Sequence, residues 1–96
     1  MRVELTPAAK AELAEARDWY DDQHPDLGKR FMGEFRALAV RLSEHLRLFP
    51  TVRGAVRRAG FHRFPYGLFF RIQGDVVEVF ACFHARRHPR RWQRRM

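Results

Sequence analysis

The sequence predicts an α+β domain: an N-terminal strand, then an antiparallel two-helix hairpin packed on one face of a mostly antiparallel sheet, then a basic C-terminal tail. Three features carry this reading. Apolar residues recur at helical spacing through the first half of the chain. The spacing changes to strand-like alternation in the second half. The charge changes sign between the same two halves.

Arg2–Leu5 alternates weakly and reads as a short strand. Thr6 and Pro7 then form a helix start, with threonine as N-cap and proline at the first helical position. This helix is expected to run to about Gln23, with Ala9, Leu13, Ala16 and Tyr20 on its buried face. His24-Pro25-Asp26 makes the turn. The second helix is expected from about Asp26 to Phe49, because Leu27, Phe31, Phe35, Leu38, Leu42, Leu46 and Phe49 form one apolar stripe that Pro50 stops. A short loop between two amphipathic helices implies a helix hairpin.

The strands follow. Val56–Phe64 reads as one, with a bulge suggested by Gly60. Tyr66–Ile72 and Val76–His84 are stronger, and Gly74-Asp75 suits a two-residue hairpin turn between them. That turn fixes a register. Ile72 opposes Val77, Phe70 opposes Val79, Leu68 opposes Ala81 and Tyr66 opposes Phe83 on a face expected to lie on the helices. Arg71 opposes Glu78, Phe69 opposes Phe80 and Gly67 opposes Cys82 on the other face, an ion pair and an aromatic pair directly across the ladder. On this register Arg71, Phe80, Cys82 and His84 look toward solvent or a partner.

Ninety-six residues suit one domain with one modest core, and 46% hydrophobic residues argue against disorder. There is no internal repeat and no linker. A lone cysteine, Cys82, excludes an intrachain disulfide and favours a reducing compartment. The start of the chain lacks a signal-peptide profile and no stretch approaches the ~20 apolar residues of a membrane span. The expectation is a cytoplasmic protein with no membrane partner.

The formal net charge of +8 is concentrated in one half. Residues 1–46 carry seven basic and nine acidic side chains, whereas residues 47–96 carry twelve arginines, no lysine and two acids. A GC-rich genome accounts for arginine over lysine but not for the clustering. Such asymmetry concerns partners rather than fold, and arginine pairs phosphate or carboxylate with a planar fork.

Candidate chemistry is sparse. The five histidines, His24, His45, His62, His84 and His88, have no metal-ligand spacing, and there is no phosphate-binding glycine loop, so neither metal nor cofactor is expected. One cluster stands out: His84, Arg86 and Arg87 at the end of the last strand, with Arg63, Tyr66 and Arg71 from neighbouring segments. A histidine among arginines suits phosphodiester cleavage, the imidazole moving a proton and the guanidiniums holding the phosphate. The same residues equally suit a strand cap beside a surface for an acidic protein. In the tail, Trp92 sits among Arg90, Arg91, Arg94 and Arg95, a stacking-plus-charge pattern of nucleic-acid binders, or else a tryptophan that packs back on the domain. Cys82 reads as a small core residue.

These residues resemble the RelE/ParE superfamily of type II toxin–antitoxin toxins over essentially the whole length, as a single toxin domain spanning residues 1–96. Val3-Glu4-Leu5-Thr6-Pro7-Ala8-Ala9 is similar to the family's opening strand and helix start. Trp19-Tyr20 resembles its first-helix aromatic pair, and Leu27-Gly28-Lys29-Arg30-Phe31 and Phe49-Pro50 resemble the ends of its second helix. Arg63-Phe64-Pro65-Tyr66-Gly67-Leu68-Phe69-Phe70, Val76–Phe83 and His84-Ala85-Arg86-Arg87-His88-Pro89-Arg90-Arg91-Trp92 are the strongest matches. The resemblance implies a growth-inhibiting toxin of plasmid-stabilisation type, held in a hetero-oligomer by an antitoxin with an acidic segment. ParE-like members poison DNA gyrase, and RelE-like members cut messenger RNA on the ribosome. Gly67 stands where RelE-like nucleases often carry a basic residue, and Trp92 where they often carry a tyrosine. The resemblance therefore leans toward a non-enzymatic gyrase inhibitor. Arg63, Tyr66, Arg71, Arg86, Arg87, Arg90, Arg91 and Trp92 are then expected to bind target or antitoxin, with His84 catalytic only in a nuclease.

Overall fold

The structure, a computed structural model, describes residues 1–86 and Arg94. The elements in chain order are β1 (Arg2–Leu5), α1 (Pro7–Gln23), α2 (Leu27–His45), a 3-10 turn (Leu46–Leu48), β2 (Thr51–Arg53), β3 (Val56–Gly60), β4 (Tyr66–Gln73) and β5 (Val76–His84). The strands form one sheet in the order β1-β5-β4-β3-β2, antiparallel except for the parallel β1–β5 pair. The two helices pack on one face, as the sequence predicts. Among the described residues no helix is long and apolar enough to cross a membrane.

Local chemistry sets the helix ends. Thr6 is extended and its hydroxyl accepts the amide of Ala9 at 3.2 Å, while Pro7 begins α1 at no cost in hydrogen bonds. The buried face of α1 is Ala9, Leu13, Ala16 and Tyr20, as its spacing implies. The second helix stops at His45, short of the expected Phe49. The residue before a proline is driven out of the helical region, and Phe49 is extended at φ −90°, ψ 136°. A 3-10 turn bridges the gap and still buries Leu46. The stripe therefore survives where the helix does not: Phe31, Leu38, Leu42, Leu46 and Phe49 are buried, and Leu27 and Phe35 pack against them. Phe31 is fully buried, within 4.7–5.4 Å of the rings of Tyr20, Phe61, Phe64 and Tyr66.

The strands require three corrections. Thr51–Arg53 forms an edge strand that the sequence did not betray, since all three residues are exposed. Strand β3 ends at Gly60 rather than Phe64, and Gly60 pairs regularly with Gly67 instead of bulging. The third correction reaches the candidate site. The β4–β5 hairpin turns at Gly74, whose φ of +62° only glycine adopts readily. The register near the turn is the expected one, with Ile72 opposite Val77, Arg71 opposite Glu78 and Phe70 opposite Val79. The Arg71–Glu78 ion pair measures 3.0 Å. Beyond it the ladder slips by one residue, and Phe69 opposes Ala81, Leu68 opposes Cys82, Gly67 opposes Phe83 and Tyr66 opposes His84.

Phe80 is the extra residue of this bulge. A one-residue insertion exchanges the faces of everything after it. Cys82 thus joins the core under the helices, and Ala81 and Phe83 join Phe69, Phe80 and Val56 in a second apolar cluster. The sheet edge explains how the irregularity is satisfied. Strand β1 ends opposite Val79, where Thr6 donates its amide to the Val79 carbonyl at 2.9 Å, and the chain leaves for α1. Past that point the Cys82 amide has no strand beside it, and the Glu12 carboxylate of α1 accepts it at 3.0 Å. A buried amide left without an acceptor would cost about 1–3 kcal/mol.

Candidate binding site at the open end of the last hairpin

His84 ends β5 and is half-buried opposite Tyr66. The two rings meet edge-on, centroids 5.2 Å apart at 81°. The His84 Nδ1 accepts the backbone amide of Arg86 at 3.1 Å, and the Ala85 amide donates to the Pro65 carbonyl at 2.8 Å. An imidazole accepting through Nδ1 carries its proton on Nε2. These contacts tie the ring into the turn that leads out of β5 and leave Arg86 exposed.

The loop before β4 lies at the same end of the hairpin. Glu34 of α2 holds it, its carboxylate accepting the amides of His62 at 2.8 Å and Arg63 at 3.1 Å, and Arg63 is exposed. Tyr66 is buried, its ring against those of Tyr20, Phe31 and Phe61 as well as His84. Arg71 lies five residues along β4 from Tyr66, about 17 Å at the rise of a strand, ion-paired to Glu78 and lying 5.0 Å from the centroid of Phe80. The fold therefore gathers His84, Arg86, Tyr66 and Arg63 at one end and sets Arg71 apart. Arg87, Arg90, Arg91 and Trp92 lie outside the described residues.

One residue escaped the sequence reading. Arg58 of β3 pairs with Phe69, on the sheet face away from the helices. Its side chain runs over the facing pair Gly60 and Gly67, and its guanidinium fills the space of the missing Gly67 side chain: a Cβ there would stand 2.7 Å from the Arg58 Nε. The guanidinium carbon lies 6.0 Å from the Phe69 ring centroid. The available signal was two glycines placed opposite each other, which is visible only once strands β3 and β4 are paired.

Cys82 shows how closed the helix side is. Its thiol is buried beside the negative charge of Glu12, and burial first, then that charge, pushes its pKa up from 9.0 to about 12. As the pH rises from 9 toward 12 the unfolded chain releases this proton while the folded chain keeps it, so stability falls. Urea unfolding between pH 8 and 10.5 is expected to show a steeper loss for the unaltered chain than for Cys82→Ala. Parallel pH profiles for the two would refute the assignment.

Among the described residues no three His, Cys, Asp or Glu side chains converge to hold a metal ion. What the open end offers is exposed positive charge on a rigid support, suited to engaging an acidic surface. A family model described as "ParE toxin of type II toxin-antitoxin system, parDE" matches residues 3–89. The solved structure titled "Chromosomal ParDE TA system from P. aeruginosa" superimposes with a TM-score of 0.76 at 19% identity, covering 88% of this chain and 95% of that one, and so shares the fold. No curated protein matches the sequence.

Proposed function

Because the chain belongs to the ParE toxin family of type II toxin–antitoxin systems, we propose that it arrests growth by binding and poisoning DNA gyrase without catalysing a reaction, and that a cognate antitoxin with an acidic segment silences it. The observation that carries this reading is the employment of His84. A proton-transferring histidine must present a ring nitrogen to its substrate. Here Nδ1 is taken by the Arg86 amide and cannot act as a base, which leaves only the protonated Nε2 for any proton transfer. The contacts with the Arg86 amide and the buried Tyr66 ring are those of a residue that holds the exit turn of β5 in place. Support for the antitoxin comes from charge. The arginine-rich half invites an acidic segment, and a groove between α1 and α2 sets Arg17, Lys29 and Arg36 against the single acid Asp21 around Met32.

The test replaces His84 with alanine. A nuclease relying on this imidazole would lose roughly 10²–10⁴-fold in rate. For a gyrase poison only a modest loss is expected, about tenfold or less in the inducer level needed for growth arrest, because truncating this half-buried ring removes one hydrogen bond and one ring contact, each about 1 kcal/mol. The arrested cells should carry broken DNA and intact messenger RNA, and the purified chain with gyrase should trap cleaved plasmid. Cleavage of ribosome-bound messenger RNA that vanishes in His84→Ala would replace this reading with the endoribonuclease one.

A further inference from the structure

We infer that Arg58, bedded on Gly60 and Gly67, is a seat for a carboxylate of an acidic peptide that docks on the sheet face away from the helices. This rests on the reading of the chain as a toxin held by an acidic partner, and it places part of that contact on the sheet rather than on the helix hairpin.

The geometry is that of a built site. Two glycines facing each other across β3 and β4 leave a trough, and the Arg58 side chain lies along it, with Nη1 3.0 Å from where a Gly60 Cβ would stand and Nε 2.7 Å from where a Gly67 Cβ would stand. The Phe69 ring lies beside the guanidinium, its centroid 6.0 Å from the guanidinium carbon. Arg58 is half-buried, yet among the described residues no carboxylate pairs with it, whereas Arg71 on the same face is neutralised by Glu78. A guanidinium carries five donors in a planar fork that matches a carboxylate in two parallel bonds. Holding it flat and partly out of water lowers the cost of ordering it when a partner arrives.

One observation favours a peptide carboxylate over a nucleic-acid phosphate, and a second suits an acidic partner of either kind. The aromatic rings around Arg58 are buried, Phe69 at 6% and Phe83 at 4% exposure, so they offer no open face on which bases stack. The half of the chain that contains Arg58 bears twelve arginines against two acids, which complements an acidic segment along its length.

The experiment titrates the full chain with a synthetic peptide of alternating glutamate and leucine while the Nε–Hε resonance of Arg58 is followed by NMR. Inorganic phosphate and a thymidine oligonucleotide at equal ionic strength are the comparison arms. The peptide is expected to move the Arg58 resonance, and its affinity to fall about tenfold or more in Arg58→Lys, which keeps the charge and loses the fork. Gly67→Ala, whose methyl displaces the guanidinium, should lose affinity likewise. Amide spectra establish that each variant is folded, and Arg58→Lys decides alone if Gly67→Ala is not. Peptide affinity unchanged in a folded Arg58→Lys, or an Arg58 resonance moved by the oligonucleotide and not by the peptide, would overturn the inference. Growth arrest is scored separately. A chain that arrests growth but whose Arg58→Lys variant binds the peptide equally well sinks the seat and keeps the toxin reading. A chain that never arrests growth sinks the toxin reading, and the titration still decides Arg58.

Discussion

Phe31→Ala is expected to cost about 3–5 kcal/mol of folding stability, the range for emptying a large aromatic site in a packed core. Phe31 is fully buried and is the residue on which the helix and sheet layers meet: the rings of Tyr20 from α1, Phe61 and Phe64 from the β3–β4 loop and Tyr66 from β4 all reach it. Its contact with Phe61 is a stack, centroids 4.7 Å apart at 8°, and truncation removes both the buried area and these pairings. Small domains hold only about 5–15 kcal/mol in total, so the variant should unfold at far lower urea concentration and be largely lost from cells at 37 °C. Phe35→Ala, at a half-buried position of the same helix, should cost clearly less. Urea melts followed by circular dichroism measure both. A loss below about 1 kcal/mol at Phe31 would mean that the site collapses to fill the void and that the aromatic cluster is not the keystone of the core.

Where neighbouring residues decide the outcome, the fold was legible. Thr6 and Pro7 fix the start of α1, the three- and four-residue spacing fixes both buried helix faces, and Gly74 fixes the hairpin turn. The end of α2 was legible only in part, because Pro50 bars the helix at Phe49 while the 3-10 turn keeps the apolar spacing going. The bulge was hidden for a definite reason. From Val79 to Phe83 every residue is apolar, so alternation has no polar residue with which to mark the outer face, and either face accepts either set. What selects the bulged register lies elsewhere, in the end of β1 at Val79 and the carboxylate of Glu12. That selection carries His84 to the helix side against Tyr66. The site was therefore legible as residue types at the end of a strand but not as an arrangement, and Arg58 was not legible at all, since only strand pairing brings Gly60 and Gly67 together.

Replacing Arg86 and Arg87 together with alanine is expected to raise the expression level needed for growth arrest by about a hundredfold, or to abolish arrest. Truncating one member of a desolvated charge pair typically costs 2–5 kcal/mol, so losing two guanidiniums from a docking surface reaches that factor even if each contact falls at the low end. The structure gives Arg86 a particular claim on this role. The bond from its own amide to the His84 Nδ1 fixes its backbone, while the residue as a whole is exposed, so the charge is presented from a firm base with nothing to hold inside the domain. Arg87 is the next residue in the chain and also a cation. Arg86 is exposed, and substitution of an exposed residue usually changes stability by no more than about 0.5 kcal/mol; a thermal melt of the purified double variant checks that the fall owes nothing to folding. Arg86→Lys with Arg87→Lys divides the effect further. Full activity in that variant would mean that net charge and steering suffice, and a fall close to that of alanine would mean that the planar fork makes paired bonds to carboxylate or phosphate. Growth curves over graded inducer, with protein levels matched by immunoblot, give the numbers. Arrest at an unchanged level in the folded alanine variant would remove this end of the hairpin from the target interface and move the search to the other arginines of the C-terminal half.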